Sequence, residues 1–197
     1  MTIIYLLGLL IFILIINKFL LKNRILINET GDIHQKFSSK SSVPLTGGVF
    51  IFLGYLFFND GTFSFIFFSF IILILGILSD LKLIKSAKKK FFLQIFIILS
   101  FTVFNDIQIS DTRINFVDTI LNYHFINYLF VSFCILIIIN GSNFIDGMNT
   151  LCIGYYLLIT IIIYYLQFNN IIRLESIPVF YVLIIMSFAF IMNLKNN

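Results

Sequence analysis

The stretch Asn140-Gly141-Ser142-Asn143-Phe144-Ile145-Asp146-Gly147 gathers polar side chains where the sequence otherwise spells lipid. It follows an apolar run from Phe125 to Ile139. Two carboxamides and a carboxylate at the mouth of such a run are costly without a polar task. A spacing of three puts Asn140, Asn143 and Asp146 on one helical face, and Gly147 lets the backbone turn away. Asparagines in spans also glue helices together. An ionised Asp146 at a membrane mouth, however, requires a cation or a basic partner.

A second set reads Ser79-Asp80-Leu81-Lys82, then Lys88-Lys89-Lys90, then Gln94. A carboxylate at a helix mouth opposite lysines can hold a metal ion while the ammonium groups meet phosphate oxygens. The bland reading is a solvated loop whose lysines only orient the chain. Gln94 lies four residues after Lys90 on the same helical face, where it either bonds a neighbouring helix or reaches a ligand.

A third set lies in the first long connection, which reads Gly31-Asp32-Ile33-His34-Gln35-Lys36, then Val43-Pro44-Leu45-Thr46-Gly47-Gly48. His34 and Lys36 are available to a phosphate or nucleotide, or are simply solvated. Pro44 and the glycine pair allow a turn and a close backbone approach.

The elements that position these residues are membrane helices. The chain has 197 residues, 60% hydrophobic and only 11% charged, with a mean hydropathy of +1.06. Soluble domains carry about 25% charged residues, so the composition excludes that class. Seven apolar runs emerge, at 2–21, 45–59, 63–79, 91–105, 125–141, 151–167 and 177–193. They are too long for strands and lack period-two alternation, so the expected fold is all-α, a polytopic helix bundle. No soluble domain is visible, and residues 1–197 read as a single transmembrane domain. Cys134 and Cys152 lack metal-ligand spacing and read as small core residues.

If the spans alternate, Lys18, Lys22, Arg24, Lys36, Lys40, Lys82, Lys85, Lys88, Lys89, Lys90 and Lys195 share one side. Only Arg113 and Arg173 fall on the other. The positive-inside rule makes the first side cytoplasmic and puts the N-terminus outside. The net charge of +4 is therefore about orientation, not nucleic acid. All three polar sets then converge on the cytoplasmic face, which suggests a site for a phosphorylated substrate and a divalent metal.

In this order and between these spans, Val43 to Gly48, Gly76 to Asp80 with Lys90 and Gln94, and Asn140 to Gly147 resemble the polyprenyl-phosphate N-acetylhexosamine-1-phosphate transferases, glycosyltransferase family 4. The resemblance implies transfer of a sugar-1-phosphate from a UDP-sugar to undecaprenyl phosphate with release of UMP, at the start of cell-envelope polysaccharide synthesis. It implies Mg2+ as cofactor, with Asp80 and Asp146 as metal and catalytic residues. His34, Lys36, Lys90, Gln94, Asn140 and Asn143 become substrate-binding residues. The partners implied are a UDP-N-acetylhexosamine-type sugar nucleotide, undecaprenyl phosphate and membrane lipid, at the inner (plasma) membrane.

Two departures qualify the resemblance. The family usually carries paired aspartates where this chain has Ser79-Asp80. The family also continues past the seventh span into further metal and histidine motifs, so the chain reads as an N-terminal fragment. A truncated inactive homologue is therefore one alternative. A small transporter or helper subunit is another, although transporters place ionisable groups near the midplane rather than at one mouth.

Overall fold

The computed structural model describes residues 2–24, 27–29, 42–44, 46–58, 62–81, 83–145, 151–174 and 179–195. The described chain forms helices α1 (Thr2–Asn23), α2 (Gly47–Phe58), α3 (Phe63–Asp80), α4 (Ala87–Phe104), α5 (Asn115–Leu121), α6 (His124–Ile145), α7 (Leu151–Phe168) and α8 (Val179–Lys195). Two three-residue strands, β1 (Ile27–Glu29) and β2 (Ser42–Pro44), lie between α1 and α2. The fold is all-α in class, as the absence of water in a bilayer demands, because helices satisfy their own backbone groups.

Seven helices coincide with the seven apolar runs, and the differences at their ends have local causes. Thr46 is not yet helical; it is buried, and its hydroxyl donates to Asn17 Oδ1 at 2.6 Å. The fourth helix starts four residues ahead of the expected 91, because Ser86 caps it by accepting from Lys89 N–H at 3.4 Å. The fifth run continues past 141 to Ile145, which takes Asn140 and Asn143 into α6. The remaining helix, α5, falls in a segment expected to be a polar connection. Asp118 in its first turn favours the positive end of the helix and accepts from Thr112 N–H (2.8 Å) and Oγ1–H (2.6 Å).

Among the described residues, Phe63–Asp80, His124–Ser142 and Leu151–Phe168 are long and apolar enough to cross a membrane. Gly47–Phe57 and Val179–Met192 are shorter apolar helices. Phe63, Phe67, Phe96, Phe133, Leu158 and Ile162 are exposed on helix surfaces. Apolar surface of that extent is what lipid solvates and water does not. This is a membrane protein.

The chain divides into two compact units: Met1–Gly61 with Phe144–Asn197, and Thr62–Asn143. In the first, α8 packs against α7, α2 and α1. Leu9, Ile13, Phe50 and Ile185 form its buried core. β1 and β2 pair antiparallel, Ile27 opposite Pro44 and Glu29 opposite Ser42, returning the chain from α1 towards α2. A side chain at Gly54 would overlap Ile185 Cδ1, and Ile185 is only 1% exposed, so glycine is what lets α2 lie this close to α8.

In the second unit, α3 and α4 are antiparallel neighbours joined by Phe65–Phe101, Phe68–Phe101 and Phe68–Phe104 ring contacts at 5.5, 5.8 and 5.9 Å. The turn after α4 is held to the start of α6. Asp106 takes the left-handed φ of 49° and accepts from Tyr128 Oη–H at 2.6 Å and from Gln108 Nε2–H. Asn127 is buried and binds both the N–H and the C=O of Ile109, at 2.9 and 2.8 Å. Cys134 here, and Cys152 in the first unit, are half-buried.

Two predictions follow from these contacts. Gly54→Ala lowers stability in detergent by about 1–3 kcal/mol through overpacking; adding Ile185→Val, which deletes the clashing methyl, restores part of it, and a denaturant titration reads both. The Tyr128 hydroxyl, then Gln108, hold the Asp106 carboxyl below the usual carboxylate range. Its stabilisation is thus complete above that range and lost as pH falls through it and below. The wild-type melting temperature should drop on acidification from pH 7 to pH 3, and Asp106→Asn should drop less.

Candidate functional site

The site is built from the turn between α3 and α4 and from the last turns of α6. Asp80 ends α3 and is exposed. The chain then folds back on the helix, with Leu81 N–H donating to Ile77 O at 2.9 Å and Leu83 N–H to Leu78 O at 3.0 Å. Ser86 opens α4 a few residues later; partial desolvation is the larger influence on the Asp80 carboxyl, and attraction to Lys90, half-buried in the first turn, is the smaller one. Lys88 and Lys89 are exposed beside it.

These lysines sit at the wrong end of a helix. The first turn of α4 holds no acidic residue, and the positive end of the helix dipole opposes three more positive charges. A well-placed charge at a helix end is worth about 0.3–1 kcal/mol, and a misplaced one costs a similar amount. The cluster therefore does not exist to stabilise the helix. It creates an excess of positive charge beside one carboxylate, the electrostatics that an anion with a bound metal neutralises.

The level of Gln94 follows from helix register. Asp106 meets Tyr128, and four residues back on α4 and four on along α6, Thr102 Oγ1 meets Ser132 Oγ at 2.9 Å in a buried contact. The helices are thus antiparallel, and each four-residue step is about 6 Å. The next step brings Ile98 level with Leu136, both buried. The one after brings Gln94 level with Asn140. The ring contacts place Leu75 of α3 near the same level. Asp80, Lys90 and Gln94 therefore lie towards the α3–α4 turn, and helical rise puts Asn140 on the same side of the Thr102–Ser132 contact.

Gln94 is 4% exposed, and its Oε1 has no hydrogen-bond partner among the described residues. A buried, unpaired carbonyl costs about 1–3 kcal/mol, so it calls for an explanation, such as a donor on a bound molecule or a water. Asn140 is half-buried, and its Nδ2–H donates to Leu136 O of its own helix at 2.9 Å. Asn143 follows in α6, one turn beyond Asn140. Asp146, His34 and Lys36 lie outside the described residues.

Sequence reasoning missed the hydroxyls that set this geometry, Thr102 and Ser132, together with Ser64, which donates to Asn105 Oδ1 at 2.5 Å. Their signal was present: small polar residues inside apolar runs are the usual bonds between membrane helices. Among the described residues no group of three or more His, Cys, Asp or Glu gathers as a metal cage. Mg2+ does not need one, since one or two carboxylates and substrate phosphates suffice. Asp80, accessible and beside a phosphate-binding type of charge, fits one such position.

The sequence profile of glycosyl transferase family 4 matches residues 62–195, more than half of the chain. The chain belongs to glycosyl transferase family 4. Within this family it is a polyprenyl-phosphate sugar-phosphate transferase in general type, an enzyme of the phosphotransferase kind. The match contains Asp80, Lys90, Gln94, Asn140, Asn143 and Asp146, whereas His34, Lys36 and Pro44 to Gly48 precede it. No curated protein and no solved structure matches the chain.

Gln94→Leu replaces the unpaired oxygen by a hydrocarbon of similar size. Its unfolding midpoint in denaturant should stay level or rise, by up to about 1–3 kcal/mol. A clear loss of stability would show that the oxygen has a partner within the fold.

Proposed function

We propose that the protein transfers a sugar-1-phosphate from a UDP-N-acetylhexosamine-type nucleotide to undecaprenyl phosphate, releasing UMP at the cytoplasmic face of the plasma membrane, where envelope polysaccharides begin. The observation that carries the reading is a carboxylate, Asp80, set beside an uncompensated lysine-bearing helix start within the family-matched stretch. An accessible carboxylate and excess positive charge at one helix turn suit a diphosphate and its counter-ion.

In this reading an oxygen of the lipid phosphate attacks the phosphorus that bears the sugar. The bond from that phosphorus to the UMP oxygen breaks, and UMP leaves with the electron pair. A phosphate monoester has its second pKa near 6, so the acceptor is already mostly ionised at neutral pH and needs no strong base. Positioning and charge neutralisation are then the main tasks, as in phosphoryl transfer generally. Asp80 and Asp146 would hold Mg2+, which offsets charge on the diphosphate when bound. Lys90, with His34 and Lys36 from the first connection, would meet phosphate oxygens. Gln94, Asn140 and Asn143 would orient the nucleotide sugar, with the unpaired Gln94 oxygen accepting from an N–H or O–H of the ligand.

The test is UMP release in proteoliposomes supplied with UDP-N-acetylglucosamine and undecaprenyl phosphate. Release should require Mg2+ and fall about 10²–10³-fold in Asp80→Asn, the range found on removing one group that stabilises transition-state charge. Lys85→Ala, at an exposed position in the turn, is the comparison variant. Full turnover in Asp80→Asn, or turnover indifferent to Mg2+, would end this assignment.

A further inference from the structure

The unit formed by Met1–Gly61 and Phe144–Asn197 contains a cavity of about 220 Å³ whose lining includes none of the residues assigned to transfer. Its deep end is the core itself, where Ile13, Phe50 and Ile185 meet. From there it follows one face of α1 to Leu21, eight residues on, or about 12 Å. Ala189 of α8 forms part of the wall, its single methyl leaving the slot wide. Along that face the chemistry changes: Lys18, one turn before Leu21, joins the lining together with the hydrogen-bonded Asn17 and Thr46.

The cation there is not isolated. Lys22 lies one turn further along α1, on the same face as Lys18, and Arg24 follows in the turn after the helix; all three are exposed. Among the described residues the lining contains no carboxylate to answer them. An apolar slot that begins in the core and ends among cations complements a molecule with a hydrocarbon chain and an anionic head. At this volume the slot takes part of one chain, below the 300 Å³ at which whole-ligand pockets usually begin, and the rest of the molecule stays in the bilayer.

The geometry points to an anionic phospholipid of the bilayer as the occupant, with its chain along α1, α2 and α8 and its phosphate at Lys18. This assignment is independent of the transfer reaction. It makes a bound lipid part of the packing between α1 and α8.

Native mass spectrometry of protein extracted from nanodiscs of equal phosphatidylglycerol and phosphatidylcholine tests it. The wild type should retain phosphatidylglycerol preferentially. Lys18→Gln should lower that preference about fivefold, from the attraction of one lysine for an anionic membrane. Ala189→Leu should fill the slot and release both lipids, and Ala189→Val provides a smaller filling should the leucine variant misfold by circular dichroism. Equal retention of the two lipids by the wild type overturns the proposal, as does full retention by a folded Ala189 variant. Displacement of the phospholipid by undecaprenyl phosphate at matched concentration would also overturn it, by giving the slot to the acceptor.

Discussion

The buried hydroxyl pair Thr102–Ser132 is the contact on which the geometry of the candidate site depends. Between apolar helices the hydrophobic effect has little to choose among registers, since lipid tails and leucine side chains are alike. A polar pair away from water does choose, because a slip by one residue would take the Thr102 oxygen from the buried Ser132 hydroxyl, while Thr102 keeps its bond to Leu99 O of its own helix. With the register pinned there and at Asp106–Tyr128, the levels of Gln94 and Asn140 follow from helical rise. The aromatic contacts between α3 and α4 then bring Asp80 within electrostatic reach of Lys90.

Mutually satisfied polar groups and the polar groups proposed for transfer consequently lie at different levels of one unit. At one end, Asp106, Gln108, Asn127 and Tyr128 satisfy one another and the backbone of the turn. At the other, Gln94 Oε1 is unpaired and the lysines face an unfavourable dipole. Local violations of this kind are what a functional site costs a fold. The same contrast separates a bundle held together by polar contacts from a bundle end prepared for a charged ligand.

Much of this was legible in the sequence. Apolar length gave all seven long helices, because the bilayer imposes one solution on the backbone. Asp80, Lys90, Gln94 and Asn140 were recognisable as polar residues at helix mouths. The ends of helices were less legible, since a cap such as Ser86 or an inward turn such as Thr46 decides them locally. Helix α5 escaped notice because its seven residues make about two turns, too few for the apolar pairs at 116–117 and 120–121 to stand out. The unpaired state of Gln94 depends on its neighbours across two helices, which no linear pattern encodes. The two-stranded ladder was hidden for the same reason, because each strand is three residues long and acquires its identity from the other.

The lysine-rich opening of α4 also has a consequence for how this part of the molecule responds to its medium. Most exposed helix ends are steadied by complementary charges, so dissolved ions weaken them. Here the like charges repel one another and the peptide dipoles, and mobile counter-ions relieve that repulsion within a Debye length of about 8 Å at physiological ionic strength. The first turn of α4 is therefore firmer in salt than in dilute buffer, and firmest when the screening anion stays in place.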